Sequence, residues 1–477
     1  MGALLQAAYF RFTPYVLGAF GVGILIFVSA LAGISTRPEG MLAVLWPANA
    51  LLLVAFIRVK EAHTPLGWLA AFAGYLAADL ITGASPVKAV LYSLPNLASV
   101  AVGVYLFALL SAEDQFLKRA VSILYLFLIS SAASVAAGLV ASVAEGVAMQ
   151  GDPLVSFMFW ASSNFVAFMV ILPFALMVPL TRAAWRSGLY ADLREEFAVK
   201  SFYIFVPAVL LFISVAMVTV VRGPGAVVFP LPALLWCTLT YRLPVVAFLI
   251  TLIAPWLMAG LEFDMIATVP DPENPYLGTL SLRLGIAMLA FGPLTVAAID
   301  RERSELVDRL AHAAKHDFLT GTLTRGAFMA MGQAMVEAVA AQKGRLSVMV
   351  LDLDHFKSIN DTYGHRAGDQ ALIAISKIIS ANLRDQDLFA RLGGEEFSLL
   401  LPDMAPIDAQ ALAHRLRKAV EETHVPTADG TPITITASIG VVSRELDKVE
   451  MLENLIGQAD NGMYSAKAEG RNRVVAL

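Results

Sequence analysis

Long apolar runs fill the sequence before Asp300, and they leave few folds open to that part of the chain. Each run is long enough, or nearly long enough, to cross a bilayer as a helix. The ten runs lie at about 14–34, 41–57, 65–82, 88–110, 120–147, 154–180, 202–221, 225–241, 244–261 and 277–299. The shorter runs can be re-entrant or merged, so eight spans are the alternative to ten. Residues 1–299 are therefore predicted to form a multi-span α-helical membrane domain.

Basic residues in the loops between these runs predict the orientation, because cytoplasmic loops carry an excess of Lys and Arg. With ten spans and both termini inside, the inner loops carry nine such residues: Arg58, Lys60, Lys118, Arg119, Arg182, Arg186, Arg194, Lys200 and Arg242. The outer loops carry three: Arg37, Lys88 and Arg222. The C-terminal part is therefore predicted to face the cytoplasm. The first run is longer than a signal-peptide core, so we expect it to be retained.

Five side chains inside the predicted spans are polar or charged: Asn49, Asp79, Asn96, Asn164 and Arg283. A charge inside a membrane is costly and often marks a functional site. Asp79 and Arg283 could therefore pair with each other or line a ligand cavity. The alternative is that Asp79 lies near the end of a span and that the Asn side chains tie helices together.

The character of the sequence changes abruptly after Ile299. Residues 300–316 are rich in charge and contain neither Gly nor Pro, so we expect the last span to continue as a helical connector. Ile299, Leu306 and Ala313 recur at intervals of seven, with Leu310 beside them, as in a short parallel coiled coil. This spacing favours a homodimer, and a solvated helix that only separates two domains is the alternative.

Residues 317–477 alternate helical patterns with apolar strands and are predicted to form an α+β domain. Helices are predicted at Arg325–Gln342, Ala367–Leu383, Ala405–Thr423 and Glu450–Glu469. The continuous apolar run Val348–Leu351 predicts a buried central strand, and Ile433–Val442 predicts one long strand. Between the second and third of these helices, Gly393 and Gly394 separate two strand-like stretches, which is typical of a hairpin.

Acidic residues stand where the central strand ends and where the hairpin turns. Asp352 follows the apolar run of the strand, and Glu395 and Glu396 follow the two glycines. The three can converge if the two strands are neighbours, because adjacent strands lie about 5 Å apart. Carboxylates in such a group bind hard divalent cations such as Mg²⁺, and substrate phosphates complete the ligand shell. The pattern fits the formation of a phosphodiester bond from a nucleoside triphosphate.

Other polar residues in this part of the chain suit a nucleotide substrate. Lys467 and Arg471 are four residues apart, which predicts that they share a helical face and clamp phosphates as a pair. Asn360 and Asp369 offer the donors and acceptors that distinguish guanine from adenine. A net charge of −5, with no basic stripe, argues against a nucleic acid as partner.

The hairpin sequence Gly393–Phe397 resembles the signature of the GGDEF family in its Glu variant. Four further blocks follow the family's order, and they begin at Asp317, Asp352, Gly368 and Ala459. The resemblance covers residues 317–477 and implies a palm-like nucleotidyl cyclase, a diguanylate cyclase that condenses two GTP molecules into cyclic di-GMP and two pyrophosphates. In this family the product forms where two such domains face each other.

The same resemblance implies a role for each matching residue. Asp352, Glu395 and the Leu353 carbonyl would hold Mg²⁺ or Mn²⁺, and Glu395 and Glu396 would be the catalytic pair, with Glu395 as proton acceptor. Substrate contacts would come from Asn360, Asp369, Lys357, Phe356, His365, Lys467 and Arg471. His365 considered alone is more typical of a structural residue. An inhibitory site for the product would be formed by Arg384, Asp387 and Arg415.

Residues 1–299 resemble the bacterial membrane-associated sensor domains through Leu45–Ala50 and Ser163–Val166. This resemblance implies a sensor domain that lies in the lipid of a bacterial inner membrane and controls the cyclase. It implies no ligand that is common to the family. Two other functions stay open: a receptor that binds cyclic di-GMP without making it, and a transporter with a regulatory cytoplasmic domain. The intact Glu395 and Glu396 argue against the receptor.

Overall fold

The computed structural model describes residues 2–37, 43–148, 152–179, 202–221, 224–262, 277–426 and 432–477. The chain divides into two compact units, Met1–Ser304 and Glu305–Leu477. We call them the N-terminal unit and the C-terminal unit. Each has its own hydrophobic core of buried side chains.

All regular structure in the described residues of the N-terminal unit is helical. Its α-helices are α1 Gly2–Ser35, α2 Ala48–Arg58, α3 Pro65–Ile81, α4 Pro86–Ala108, α5 Ala112–Gln115, α6 Val121–Ala148, α7 Pro153–Met177, α8 Val206–Val221, α9 Pro230–Thr240, α10 Leu243–Glu262 and α11 Leu277–Lys315, which contains the boundary between the units. Short 3₁₀ helices lie at Phe202–Phe205 and Pro224–Val228. Thr64, Ser85 and Asp152 cap the helices that follow them, each with a proline in the first turn, where its missing N–H costs nothing.

Every predicted span contains an apolar helix in the described residues, but these helices differ in length. Seven are long and apolar enough to cross a membrane: Thr13–Ser35, Pro86–Ala108, Val121–Gly146, Pro153–Met177, Tyr203–Val221, Leu243–Gly260 and Leu277–Lys315. Three are shorter: Ala48–Arg58, Pro65–Ile81 and Gly225–Thr240. The described structure thus has fewer full-length candidates than the eight to ten predicted. One reason is Pro47, which delays the start of α2 within its apolar run.

The N-terminal unit carries large apolar side chains on its outside. Leu17, Phe20, Val28, Leu139 and Val143 are each more than half exposed. Several polar side chains, such as Asn49, are buried between the helices within the hydrophobic core. An apolar exterior with polar side chains between the helices is typical of helices that pack against one another within lipid.

Helix α11 continues from the last apolar run into the charged connector, as predicted from the absence of Gly and Pro. It extends from Leu277 to Lys315 as one helix. Beyond the apolar part, Ile299, Leu306 and Leu310 are all more than half exposed. The apolar side chains that were predicted to form a seam are therefore present on the surface of the single chain.

The C-terminal unit is an α+β fold around a six-stranded sheet with the strand order β1-β3-β4-β2-β7-β8. The strands of this sheet are β1 Leu323–Thr324, β2 Arg345–Leu353, β3 Leu388–Gly393, β4 Glu396–Pro402, β7 Ala437–Glu445 and β8 Val474–Ala476, and a second sheet pairs β5 His424–Pro426 with β6 Pro432–Thr434. The helices are α12 Arg325–Ala341, α13 Phe356–Tyr363, α14 His365–Ala381, α15 Pro406–Glu421 and α16 Leu452–Ala468. As its apolar run predicted, β2 is central and buried, and it pairs antiparallel with β4 and β7.

The prediction of one long strand over Ile433–Val442 was wrong, because β6 and β7 belong to different sheets. In the break between them, Thr436 turns toward Asp354. Its carbonyl accepts from the Asp354 N–H at 2.9 Å, and its hydroxyl donates to the Asp354 carboxylate at 2.7 Å. Ile433 and Ile435 are both buried, so the alternation of apolar residues continues across the break and periodicity alone could not locate it.

Helix α16 lies directly against the backbone of β7 at Gly440. A Cβ atom at this position would lie 1.9 Å from the Ala459 carbonyl oxygen and 2.3 Å from the Met463 nitrogen. Both atoms belong to the helix backbone, which cannot move aside as a flexible side chain can. Gly440 therefore sets the spacing between β7 and α16, and with it the position of Lys467 in the last turn of that helix.

Candidate active site

Asp352 and the two glutamates of the hairpin meet at the C-terminal end of β2. Asp352 stands opposite Glu396 in the antiparallel register of β2 and β4, and the Leu353 N–H donates to the Glu395 carbonyl at 3.3 Å. Residues paired in this way have Cβ atoms about 4.5–5.5 Å apart. Asp352 is buried, Glu395 is half-buried and Glu396 is exposed. The predicted convergence of the three acidic residues is present.

Arg391 stabilises the turn of the β3–β4 hairpin through hydrogen bonds. The sequence analysis gave this residue no role. Gly394 has a φ of 51°, a left-handed conformation that favours glycine. Arg391 Nε donates to the Gly394 carbonyl at 2.8 Å, and its Nη1 donates to Asp317 Oδ1 at 3.3 Å. The arginine thereby connects the tip of the hairpin to the segment that precedes β1. Its position on β3, just before the two glycines, was the sequence signal for this role.

Lys467 contacts the buried aspartate directly. Its Nζ lies 2.7 Å from Asp352 Oδ2. Burial raises the pKa of Asp352 above its usual 3.8, and the ion pair with Lys467 offsets part of this effect. Burial also raises the pKa of Glu395 above 4.5, and the negative charge of Asp352 adds to the increase. For both carboxylates, burial and neighbouring negative charge therefore raise the pKa by more than the nearby ammonium of Lys467 lowers it.

Asp354 is a second buried aspartate at this strand end, and the sequence analysis gave it no role. It is 4% exposed. Its carboxylate accepts from the hydroxyls of Thr436 and Ser438 at 2.7 Å each and from the Asn472 N–H at 3.0 Å. These hydrogen bonds connect the end of β2 to β7 and to the segment after α16. Asp354 stabilises the frame that carries the other acidic residues.

Asn360 and Asp369, the predicted guanine ligands, lie on the neighbouring helices α13 and α14. The Asn360 side chain rests against Gly368, where a Cβ atom would lie 2.0 Å from Asn360 Oδ1. Any side chain at position 368 would displace Asn360, so the glycine preserves its orientation. Asn360 is half-buried and Asp369 is exposed.

The chain turns sharply between β2 and α13, at the segment predicted to contact phosphates. His355 has a left-handed φ of 58°, and α13 begins at the next residue, Phe356. Phe356 is 5% exposed and packs into the core, so its side chain anchors the turn. Lys357 and His365 are exposed, at the starts of α13 and α14 respectively.

The prediction that Lys467 and Arg471 share a helical face was wrong. Helix α16 ends at Ala468. Beyond it, Gly470 has a φ of 117° and Arg471 a φ of 63°, so the backbone has left the helical conformation. Lys467 contacts Asp352, whereas Arg471 is exposed in the segment that follows the helix.

The three residues predicted to bind the product lie around the C-terminal end of α14. The Arg384 N–H donates to Asp387 Oδ2 at 2.8 Å, and the Asp387 N–H donates to the Arg384 carbonyl at 3.0 Å. Arg415 Nε donates to Asn382 Oδ1 at 3.1 Å. Asp387 Oδ1 is buried and has no hydrogen-bond partner in the described part of the chain. The structure therefore gathers these residues in one region and leaves one of their oxygens without a donor.

The acidic strand end offers two carboxylates, those of Asp352 and Glu395, to a divalent cation. Within the described residues, no group of three or more His, Cys, Asp or Glu side chains could by itself hold a metal ion. Magnesium typically takes one or two carboxylates and completes its shell with water and substrate phosphates. The raised pKa values of Asp352 and Glu395 mark two carboxylates that an added cation would stabilise.

The three asparagines predicted inside the membrane spans meet in the interior of the N-terminal unit. The Asn49 amide donates to Asn96 Oδ1 at 2.9 Å and to Asn164 Oδ1. Its own oxygen accepts from the Tyr75 hydroxyl at 2.6 Å and from the Trp46 indole at 3.2 Å. This cluster connects α2, α3, α4 and α7, so the asparagines tie helices together, which was one of the two interpretations.

Asp79 and Arg283 do not form the ion pair that the sequence suggested. Arg283 Nη2 donates to the Ala43 carbonyl at 3.1 Å, and its Cζ lies 5.3 Å from the centre of the Phe159 ring. Asp79 is buried near the end of α3 and lines a cavity there. The two charged residues therefore have separate surroundings.

Comparison with known proteins covers both units. The family described as "Diguanylate cyclase, GGDEF domain" matches residues 314–473. The probable diguanylate cyclase DgcF of Escherichia coli O157:H7 is 30% identical over 462 residues, which are 93% of this chain and 91% of the relative. The protein of the same name from Escherichia coli K12 is 35% identical over 281 residues, 57% of this chain and 86% of the relative. Similarity to these proteins thus extends well beyond the C-terminal unit.

Solved structures are similar to the C-terminal part. The GGDEF domain of DgcB from Caulobacter crescentus, in complex with c-di-GMP, is 30% identical and covers 34% of this chain and 95% of that chain, with a TM-score of 0.33. The active GGEEF domain of a diguanylate cyclase from Vibrio cholerae is 28% identical and covers 32% of this chain and 96% of that chain, with a TM-score of 0.30.

Proposed function

The chain belongs to the GGDEF-domain diguanylate cyclases, and from this membership we propose how its own residues carry out the reaction and how it is controlled. A diguanylate cyclase joins two GTP molecules into cyclic di-GMP. The observation that carries our assignment is the cross-strand pair of Asp352 and Glu396, with Glu395 beside it. We assign the reaction to this end of β2.

Asp352, Glu395 and the Leu353 carbonyl form the cation site, with Glu396 next to it. Diguanylate cyclases of this family use divalent metal ions, and we propose Mg²⁺ here, with Mn²⁺ as the alternative. When bound, the cation neutralises the triphosphate charge. Glu395 accepts the proton of the attacking ribose 3′-hydroxyl. The new bond forms at the α-phosphorus of the second GTP, and pyrophosphate leaves.

We assign the substrate contacts to residues of α13, α14 and α16 and of the segment that follows α16. Asn360 and Asp369 hydrogen-bond guanine, and the close contact between Asn360 and Gly368 supports this role because it fixes the amide. The phosphates are bound by Lys357, Lys467, Arg471 and the backbone at His355–Phe356, with His365 nearby at the start of α14. Arg471 acts from the segment after α16, so it and Lys467 approach the phosphates separately.

Two copies of the chain are needed for one product molecule, because each site holds one GTP. The exposed apolar residues Ile299, Leu306 and Leu310 on α11 support a homodimer. Their spacing suits a short parallel coiled coil, in which a second copy would cover them.

Product inhibition is assigned to Arg384, Asp387 and Arg415. The buried Asp387 Oδ1 supports a ligand at this position, since a buried oxygen without a donor is costly. A guanine N–H group would satisfy it, and the arginines suit the phosphates of cyclic di-GMP.

The chain is a membrane protein with a GGDEF domain at its C-terminal end. We propose that it lies in the bacterial inner membrane, in contact with lipid through the apolar exterior of the N-terminal unit. The catalytic domain faces the cytoplasm, as the loop charges predict. The N-terminal unit serves as a sensor that controls the cyclase.

Incubation of the purified full-length protein, in detergent, with GTP and Mg²⁺ tests the proposal. We expect cyclic di-GMP from the unaltered protein and none from Glu395→Ala. The matched variant Glu337→Ala, at an exposed position on α12, should retain full activity. If the unaltered protein binds cyclic di-GMP without making it, the receptor function is correct and the proposed reaction is not.

A further inference from the structure

A narrow cavity opens in the N-terminal unit near the ends of α1 and α3, and about 30 Å³ inside it is open to the centre of a water-sized sphere. Residues from α3, α4 and α7, and from the segments that flank α1 and α2, form its walls. The cavity lies wholly within the N-terminal unit and has no part in the cyclase site.

The carboxylate of Asp79 lines this cavity without a hydrogen bond or salt bridge to the described part of the chain. Asp79 is 5% exposed, and within the described ranges its side chain makes neither a hydrogen bond nor an ion pair. Asp114 is equally buried in the same unit, but its carboxylate accepts from the hydroxyls of Ser111 and Ser122 and pairs with Arg119. Because a buried carboxylate without a partner is costly, Asp79 is suited to receive a positively charged group from outside.

Aromatic rings line the cavity together with Asp79. Trp46, Tyr92 and Trp160 contribute to its wall, and the rings of Tyr92 and Trp160 are 5.9 Å apart, centre to centre, at a tilt of 51°. The faces of such rings attract organic cations, and aromatic walls with a carboxylate are the usual means of binding an ammonium group. The chemistry at this end of the cavity therefore favours an amine over a metal ion.

Arg37 brings the opposite charge to the same cavity. It is exposed, and among the described residues it forms no ion pair with Asp79. The lining of the cavity thus carries a guanidinium and a carboxylate that form no salt bridge with each other. The Ser163 hydroxyl, 7% exposed and also without a hydrogen bond to the described residues, lines the wall as well. A simple cation would be repelled by Arg37 and a simple anion by Asp79.

We propose that this cavity binds a small zwitterionic amine, of the amino-acid or betaine type. The ammonium group lies against Asp79 and the aromatic rings, and the carboxylate group lies against Arg37. The further claim that this ligand is a stimulus for the cyclase rests on the sensor role proposed above. Its binding does not depend on that role.

A ligand screen on the full-length protein in lipid nanodiscs tests the proposal. The proteinogenic amino acids and glycine betaine are added singly, and the thermal midpoint of the protein is measured. Each compound that raises the midpoint is titrated by calorimetry beside two relatives, the amine without the carboxylate and the acid without the amine. We expect a zwitterion to bind, and each relative to bind about tenfold more weakly or worse, since each loses one charge-assisted contact.

Variants then assign the binding to the cavity. Asp79→Asn and Arg37→Gln are each expected to weaken binding by about ten- to a hundredfold. Glu113→Gln and Lys88→Gln remove exposed charges of the same unit outside the cavity and should leave the Kd unchanged. Ser163→Ala, the mildest cavity change, should weaken binding by a smaller factor, and it provides a second test if Asp79→Asn does not fold.

Three outcomes would overturn the proposal: no zwitterion binds, an amine or acid relative binds equally well, or binding survives the cavity variants. Cyclic di-GMP synthesis is measured on the same samples. Zwitterion binding in a protein that makes no cyclic di-GMP supports the cavity proposal and counts against the proposed function alone.

Discussion

The polar centre of the N-terminal unit and the acidic strand end of the C-terminal unit differ in how completely their polar atoms are hydrogen-bonded. Around Asn49, both the amide nitrogen and the oxygen have partners on other helices. At the end of β2, by contrast, Asp352 and Glu395 have raised pKa values because burial and repulsion from neighbouring carboxylates exceed the compensation from Lys467. A completed network stabilises helix packing, whereas an incomplete one has capacity left for a ligand.

The same contrast occurs between Asp352 and Asp354, two residues apart and both 4% exposed. Asp354 accepts from two hydroxyls and a backbone N–H. The Asp352 side chain forms an ion pair with Lys467, which is itself partly exposed. The difference indicates that one aspartate supports the fold and the other serves the reaction. Substitutions of the two aspartates test that division.

The largest expected effect is that of Asp352→Asn on turnover. We expect the rate to fall by at least about a hundredfold, because even the outer contacts of metal ligands are worth 10–100-fold. Stability should not fall, since a neutral amide removes a charge that burial disfavours, and Lys467 can reach water. Initial rates with GTP and thermal midpoints measure the two effects. A destabilised but active variant would show that the roles of the two aspartates are reversed.

Asp354→Ala should act mainly on stability. It leaves two hydroxyls and a backbone N–H without their charged acceptor, and we expect the free energy of unfolding to fall by about 2–4 kcal/mol. Urea denaturation, followed by a probe in the C-terminal unit, measures the change. Asp447→Ala, at an exposed position, is the matched control and should change little. An unchanged free energy of unfolding would show that Asp354 does not stabilise the C-terminal unit.

Sequence patterns predicted the sheet, the hairpin and the meeting of Asp352 with Glu395, because buried strands and glycine turns have local signals. They placed the end of the last helix at Glu469, one residue beyond its observed end at Ala468. They were wrong to place Arg471 on the helical face of Lys467, since the left-handed backbone at Gly470 depends on the chain's path rather than on helical spacing. They also did not assign Asp354, because its hydroxyl partners are more than eighty residues away in sequence. Contacts between distant segments have no periodic signal.

Arg384→Ala tests whether the unsatisfied oxygen of Asp387 marks a ligand site. Loss of a charge-assisted contact with the product should raise the inhibition constant of cyclic di-GMP by about tenfold or more, while turnover at low product stays unchanged. Progress curves with added cyclic di-GMP measure both values. Lys377→Ala removes an exposed positive charge elsewhere on α14 and should retain inhibition. Equal inhibition in both variants would contradict the assignment.

Asn49→Ala tests the completed network of the N-terminal unit. Hydrogen bonds inside membrane proteins average about 0.6 kcal/mol each, so loss of these contacts should cost about 1–2 kcal/mol. The thermal midpoint in detergent measures the change. Ser131→Ala, whose hydroxyl bonds within its own helix, is a control for polar truncation in the same unit. A variant as stable as the unaltered protein would mean that this cluster is not structural.

The smallest expected effect concerns the ion pair between Asp317 and Arg391. Burial raises the pKa of Asp317, but hydrogen bonds from Thr320 and the charge of Arg391 outweigh it and bring the pKa below 3.8. This carboxylate therefore contributes stability above its unfolded pKa and loses that contribution as pH falls through its lowered folded pKa. Asp317→Asn should lower stability by up to about 1 kcal/mol near neutral pH and by less in acid. Urea midpoints across this pH range provide the measurement, and an effect that grows in acid would contradict the sign.

The contact between Gly440 and α16 has a consequence for how the enzyme can be disabled. Helix α16 packs directly against the backbone of β7, so a single methyl group at position 440 would push the two elements apart. This displacement of α16 would move the ammonium of Lys467 away from Asp352, which lies on β2, the strand next to β7. The charge around Asp352 thus depends on the absence of a side chain at Gly440 of the adjacent strand. A search for inactivating mutations confined to charged residues would miss this glycine.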